Sequence, residues 1–338
     1  MRMHRLQSLP GTAVAIIVGG SLVLTACSAD TDGDSDGGVP TAQQEEQESM
    51  SPGSYTSHST TFDGIDRSWN VFVPQVGYGE ADHEPMPVVL VIHGTGDTGN
   101  GIRGGIGMDL EEVAEREGFV IAYVDGYRNN WNECRIEGDW PAKEENVDDV
   151  GLMREIVAGI HSDLGPETVD PETTYAIGFS SGGNMAQRLA LEAPDLVSRF
   201  ASVNANVPVE DNNACTDSGE PVPAMFIQGR EDPIVPFDGG EVIAGSGLFA
   251  ETRGHVMSAY DGAEWFAERN GAEAEEPASV RDGDAEITTW DGDAPVTLIA
   301  VDHSGHSFPT STGSWGNDNG ARYDAPGAIL GFFSSLRH

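Results

Sequence analysis

The sequence runs to 338 residues and carries 56 aspartates and glutamates against 17 lysines and arginines, a formal net charge of −39. So acidic a chain excludes a nucleic-acid partner, because phosphate contacts need a basic face. Lys143 is the only lysine, and the acid excess describes a surface that gains from salt screening, as expected of a salt-tolerant protein.

The chain opens on a processing signal. Arg2 and Arg5 form a basic head, and Ala13 to Leu24 is apolar but too short to span a bilayer comfortably. The run ends in Leu24-Thr25-Ala26-Cys27, which resembles the bacterial lipobox, where the cysteine is lipidated and becomes the first mature residue. Residues 1–26 therefore read as a lipoprotein signal peptide, with Cys27 as the lipidation site. The expected location is the cell surface, lipid-anchored to the outer face of the membrane, or the medium, with the anchor as the sole membrane contact. Residues 27–53 are rich in Asp, Glu, Gln, Ser and Gly and nearly free of large apolar side chains. Such a segment cannot bury enough surface to offset its ordering entropy and reads as an acidic disordered tether. Residues 54–338 form one expected domain of alternating strands and helices.

Within it, Thr60 to Phe62 and Trp69 to Val73 form a hairpin turned at Asp63-Gly64. Pro87 to Ile92 and Phe119 to Val124 are continuous apolar runs of the kind covered on both faces, with a helix at Met108 to Glu117 between them. A polar loop, Asp125 to Asn146, carries Trp131, Cys134 and Trp140. Asp149 to Leu164 has helical spacing with acids in its first turn. Strands follow at Thr173 to Ile177, Phe200 to Val207, Val222 to Gln228 and Val296 to Val301, with helices at Val256 to Asn270 and Ala325 to Leu336. Strands alternating with helices indicate a mostly parallel, doubly wound sheet.

The chemistry centres on Gly178-Phe179-Ser180-Ser181-Gly182, between the Thr173 strand and the helix that follows. In a chain with 43 glycines the pentapeptide alone is a weak signal; its place on a strand–turn–helix boundary gives it weight. A serine there projects its hydroxyl from the carboxyl end of the sheet, with a helix N-terminus behind it to support an oxyanion. The hydroxyl needs a base, and the base needs an orienting acid. Asp232, just past the Val222 strand, is the preferred acid, with Glu231 as the alternative. His303 and His306 both follow the last strand and compete as the base. The oxyanion donors are the backbone N–H of Ser181 and that of Thr95, with Gly96 as the next choice; His93 beside them is read as structural. Cys134 and Cys215 lie in loops of an exported chain, which makes a disulfide plausible. The spacings of a zinc site are absent, so neither metal nor cofactor is expected.

These segments together resemble the α/β-hydrolase esterases that include poly(3-hydroxybutyrate) depolymerases, feruloyl esterases and acetylxylan esterases of carbohydrate esterase family one. The carrying residues are Asp63 to Trp69, His93-Gly94-Thr95, Val147 to Gly151, Asp170-Pro171-Glu172 with Gly178 to Gly183, Ile227-Gln228-Gly229 with Asp232-Pro233, and Gly305 to Pro309. The likeness spans nearly all of residues 58–338. It implies an α/β-hydrolase fold with an N-terminal antiparallel hairpin, and a triad of Ser180, Asp232 and His306. Ser181 stands where Asn or Met is common, and Phe308 where Trp is usual.

The sequence thus predicts an extracellular serine esterase acting on an ester substrate, with a polyester or an esterified polysaccharide as the polymeric candidates. Residues 205–255 hold no large helical insertion, so no lid is expected, and Trp131, Trp140, Trp315 and Phe308 are candidates to line an open groove. The competing readings are a catalytically silent surface binding protein on the same fold and a peptidase of the prolyl-oligopeptidase type. The latter lacks its propeller here.

Overall fold

The structure is a computed structural model that describes residues 49–76, 84–245, 250–272, 277–311, 313–316 and 323–335. The signal segment, Cys27 and all but the last residues of the tether lie outside the described residues. No described helix is long and apolar enough to cross a membrane.

The hairpin expected at the start is β1 (Ser54–Phe62) and β2 (Ile65–Val73), paired antiparallel through an Asp63-Gly64 turn with both residues at positive φ. Next in the chain come β3 (Met86–Ile92), α1 (Gly99–Glu117), β4 (Val120–Val124), the single-turn α2 (Pro141–Glu144), α3 (Asp149–Leu164) and β5 (Val169–Phe179). Then follow α4 (Ser181–Glu192), β6 (Arg199–Val203), β7 (Ala224–Gly229), β8 (Gly240–Ala244), β9 (Glu251–Val256) and α5 (Ala259–Arg269). The chain finishes with β10 (Ala278–Asp282), β11 (Ala285–Trp290), β12 (Val296–Val301), β13 (Ser307–Thr310), β14 (Gly313–Gly316) and α6 (Ala325–Ser335).

One ten-stranded sheet has the order β1-β2-β4-β3-β5-β6-β7-β12-β11-β10. Its centre, from β4 to β12, is parallel, and both margins are antiparallel hairpins. The pleat sends alternate residues to opposite faces. Val88, Leu90 and Ile92 of β3 pack with α3, α4 and α5, whereas Val89 and Val91 pack with α1 and α6. Both faces of β3 and β4 are covered, which is why their sequences read as unbroken apolar runs.

Three expectations shift. Met50 is buried in the core on the α3 side, so the folded unit reaches four residues into the segment read as tether. Helix α1 begins at Gly99, nine residues before the expected start, on a Thr98 cap whose hydroxyl accepts the Gly101 N–H. The hairpins β8–β9 and β10–β11 were not expected; β10 is exposed along its whole length and has no alternation to read.

The polar loop between β4 and α3 is pinned from both sides. Arg67 on β2 reaches Asp149 at 2.7 Å, both side chains almost wholly buried, and Asp149 also accepts the Asn132 N–H. Burial pushes the Asp149 carboxyl up, and Arg67 pulls it down. Farther along, Cys134 and Cys215 are joined in a disulfide, and the Ala214 N–H donates to the Cys134 carbonyl.

Candidate active site

The site lies at the carboxyl ends of the central strands, where β3, β5, β7 and β12 each release a loop. Between β5 and α4 the chain reverses so tightly that Ser180 is held at φ 54°, ψ −124°, a conformation few L-residues adopt. Glycine is required on both sides. A Cβ on Gly178 would lie 2.0 Å from the Gly182 carbonyl, and one on Gly182 would lie 2.1 Å from the Ile92 carbonyl. The turn aims the Ser180 hydroxyl out of the sheet, over the N-terminus of α4.

His306 meets that hydroxyl. Its Nε2 lies 3.0 Å from Ser180 Oγ, and its Nδ1 lies 2.7 Å from Asp232 Oδ2. With Nδ1–H donating to the carboxylate, Nε2 is left as the acceptor for the serine proton. The other Asp232 oxygen accepts the N–H groups of Ile234 and Val235 at 2.8 and 2.9 Å, which fix the carboxylate plane. The two alternatives fall away together: His303 and Glu231 pair with each other at 3.0 Å on the surface.

The Thr95 loop packs against the same turn. Thr95 Oγ1 donates to Ser181 Oγ at 3.0 Å, linking the two residues expected to supply oxyanion N–H groups. Gly96 is excluded from that role, because its N–H already donates to the Asn129 carbonyl at 2.8 Å. The Ser181 N–H is the first amide of α4, ahead of the Gly183 and Asn184 amides that donate to the Ser180 carbonyl, and so has no intrahelical acceptor.

Behind Thr95, His93 is fully buried and accepts the Gly126 N–H on Nε2 at 2.9 Å, so its proton sits on Nδ1, 2.7 Å from the Gly94 carbonyl. Desolvation holds this imidazole below its ordinary range, against the opposing pull of the Gly94 hydrogen bond. In the unfolded chain it titrates near 6.5, so its contribution to stability is complete above that pH. The contribution is lost as pH falls from there toward the lower folded-state value, where the buried ring must charge. His93→Gln is expected to flatten the decline of urea-midpoint stability between pH 7 and 5. Parallel pH profiles for the two proteins would refute this role.

Asn204, which the sequence reading passed over, holds the acid and base loops together. At φ 49° just past β6, its side-chain amide donates to the Ser307 carbonyl at 2.5 Å, and its oxygen accepts the Gly229 N–H at 2.8 Å. An Asn directly after a buried strand, where αL geometry is tolerated, was the available signal.

The cavity in front of Ser180 has a volume of about 380 Å³. Its walls are Phe179 and the apolar residues Ile234, Val235, Val242 and Ala244, with Arg135 and Arg253 among the polar lining. The aromatic lining proposed from sequence is corrected here. Trp131 is fully buried and donates to the His93 carbonyl; Trp140 is buried and donates to the Trp131 carbonyl. Phe308 is buried behind Phe179 and packs against that ring. The Trp315 side chain lies outside the described residues. Loop indoles with satisfied N–H groups serve here as packing anchors. No helical lid covers the cavity among the described residues of 205–255; the β8–β9 hairpin supplies one wall instead.

No protein-family model matches the chain. Among curated proteins, NocK of Nocardia uniformis subsp. tsuyamanensis, named as an esterase, is 30% identical over 240 residues, covering 68% of this chain and 67% of NocK. The chain belongs to this esterase family. A second relative of the esterase, named as a feruloyl esterase C, comes from Aspergillus flavus. It is 23% identical over 236 residues, covering 69% of this chain and 74% of its own. In three dimensions, the acetyl xylan esterase from Aspergillus awamori superposes with a TM-score of 0.53 at 16% identity, over 76% of this chain and 96% of its own. That likeness shows the α/β-hydrolase fold. The esterase is a carboxylic ester hydrolase on that fold.

Proposed function

We propose that Ser180 is the nucleophile of this esterase, His306 its general base and Asp232 the orienting acid. The observation that carries the reading is the single imidazole bridging Ser180 Oγ and Asp232 Oδ2. As Ser180 Oγ attacks the ester carbonyl carbon, its proton passes to His306 Nε2, and the carbonyl oxygen becomes an oxyanion facing the Ser181 and Thr95 N–H groups. His306 then returns the proton to the departing alcohol, leaving an acyl-enzyme. Water completes the cycle with His306 again as base, and Ser180 is regenerated.

No helical lid covers the cavity among the described residues, which favours substrates presented as chain ends or polymer side groups. The relatives' names favour feruloyl or acetylxylan-like esters, and a polyhydroxybutyrate-type polyester shares the same chemistry. We further propose that the enzyme works outside the cell, tethered by lipid on Cys27 through the acidic segment that follows it. The catalytically silent reading and the peptidase reading share one test. A fluorophosphonate is expected to add to the tryptic peptide 155–188, which contains Ser180, and to abolish release of 4-nitrophenol from 4-nitrophenyl butyrate. Full activity in unlabelled protein after saturating treatment would sink the nucleophile assignment.

A further inference from the structure

The cavity contains a charge that neutral-ester hydrolysis does not use. In a chain with 56 acids and 17 bases, two arginines line the pocket that opens onto Ser180. They come from segments more than a hundred residues apart: Arg135 from the disulfide-pinned loop and Arg253 from β9. Both stack on one buried indole, with the guanidinium carbons of Arg135 and Arg253 at 5.3 and 5.0 Å from the Trp140 ring centre. Lys143 Nζ is a third cation on this ring, at 5.8 Å, but it is turned to the Glu133 carbonyl.

The acids around them leave the guanidinium edges available. Arg135 gives its Nε and its backbone N–H to the buried Glu133 carboxylate at 2.8 and 2.7 Å, and no hydrogen bond from its Nη atoms engages a described residue. Arg253 faces Glu251 at 2.5 Å and Asp139 at 3.6 Å. Those carboxylates are 64% and 89% exposed, so water screens both pairs and a ligand anion can replace them. Asp97, the acid in the cavity lining, turns Oδ1 onto the first turn of α1, where a Cβ on Gly101 would meet it at 1.8 Å. Its Oδ2 is buried without a hydrogen-bond partner among the described residues, and its charge lies beside the positive end of the α1 dipole.

We propose that Arg135 and Arg253 form an anion subsite, and that the preferred substrates are esters carrying a second, ionised carboxyl group. The subsite deepens the esterase reading and rests on Ser180 being the nucleophile. Planar guanidiniums held by an indole and a buried carboxylate are preset for two-point recognition of a carboxylate. The end of a hydroxy-acid oligomer or a dicarboxylic hemi-ester supplies such a group; a simple acetyl ester does not.

The test uses matched esters with the charge on either side of the scissile bond. Mono-4-nitrophenyl glutarate is compared with 4-nitrophenyl butyrate, and 4-acetoxybenzoate with its methyl ester. In at least one arm the wild-type kcat/KM is expected to favour the anion by roughly tenfold or more, despite the protein's own negative charge. Arg253→Gln is expected to bring that ratio close to one, Arg253→Lys to recover part of it, and added salt to erode it in the wild type. Glutarate should inhibit the wild type competitively and Arg253→Gln at least tenfold more weakly. No anion preference in either arm, or a ratio unchanged in Arg253→Gln, would overturn the subsite. If neutral esters are still turned over and fluorophosphonate still labels Ser180, only the subsite has failed; if neither holds, the nucleophile assignment has failed first.

Discussion

Ser180→Ala is expected to lower kcat for 4-nitrophenyl butyrate by roughly 10⁵-fold while leaving the thermal midpoint near that of the wild type. The magnitude follows from the shape of the relay. In the proposed relay Ser180 Oγ and His306 Nε2, 3.0 Å apart, act as one unit, so losing either member forfeits the same step. His306→Ala is therefore comparably inactive, and the double variant is no worse than either single one. Asp232→Asn costs about 10⁴-fold by another route. An amide can turn its N–H toward Nδ1, which moves the imidazole proton to Nε2 and removes the acceptor for the serine. Its remaining oxygen can still accept the Ile234 and Val235 amides, so the loop holds its shape. Stopped-flow and steady-state assays on purified variants measure all of these. A Ser180→Ala enzyme retaining a tenth of wild-type kcat would remove the relay from the mechanism.

Arg67→Ala destabilises the protein by about 3–5 kcal/mol, the cost of leaving a buried carboxylate without its counter-charge. Asp149 is fully buried, and once Arg67 is gone its two oxygens keep only the Asn132 N–H among the described partners. Replacing both members, as Arg67→Met with Asp149→Leu, removes the stranded charge and recovers part of the loss. Recovery stays incomplete because the Asn132 N–H is then orphaned, at about 1–3 kcal/mol. Urea denaturation of the two single variants and the double closes the cycle. A double variant as unstable as the sum of its parts would mean that the ion pair carries no coupling. The pair also ties β2 to the loop that carries Trp131 and Arg135, so its rupture is expected to reach the cavity wall.

The central sheet was legible because its strands are buried on both faces: Val88 to Ile92 admits no polar interruption, and Val296 to Val301 only the buried Thr297. The antiparallel margins were half legible: Asp63-Gly64 announces the first hairpin, whereas β10, exposed throughout, carries no periodic mark. The first half of α1 was hidden by Gly99, Gly101, Gly104, Gly105 and Gly107, which erase hydrophobic spacing, so only the Thr98 cap betrays its start. At the candidate site, Ser180 and Asp232 were legible because each follows a strand in a fixed chain order, and the family resemblance chose His306 over His303, which follows the same strand. The cavity lining could not. Whether a loop tryptophan faces solvent or turns inward depends on which carbonyl its N–H meets, and Trp131 and Trp140 met carbonyls inside. Arg135 and Arg253 converge through a shared indole, a relation between distant segments that no local pattern encodes.

The sheet order has a consequence for when activity appears. The groups gathered around the candidate nucleophile, Thr95, Ser180, Asp232 and His306, follow β3, β5, β7 and β12 of one sheet, and their loops lie up to 211 positions apart (306 − 95). β12 must slot beside β7, which it follows by more than sixty positions, before His306 can reach Ser180. Contacts of such long sequence separation close late in folding. On the proposed mechanism, hydrolysis is therefore expected to appear only once β12 has docked beside β7, and a copy in which it has not docked is expected to leave esters intact.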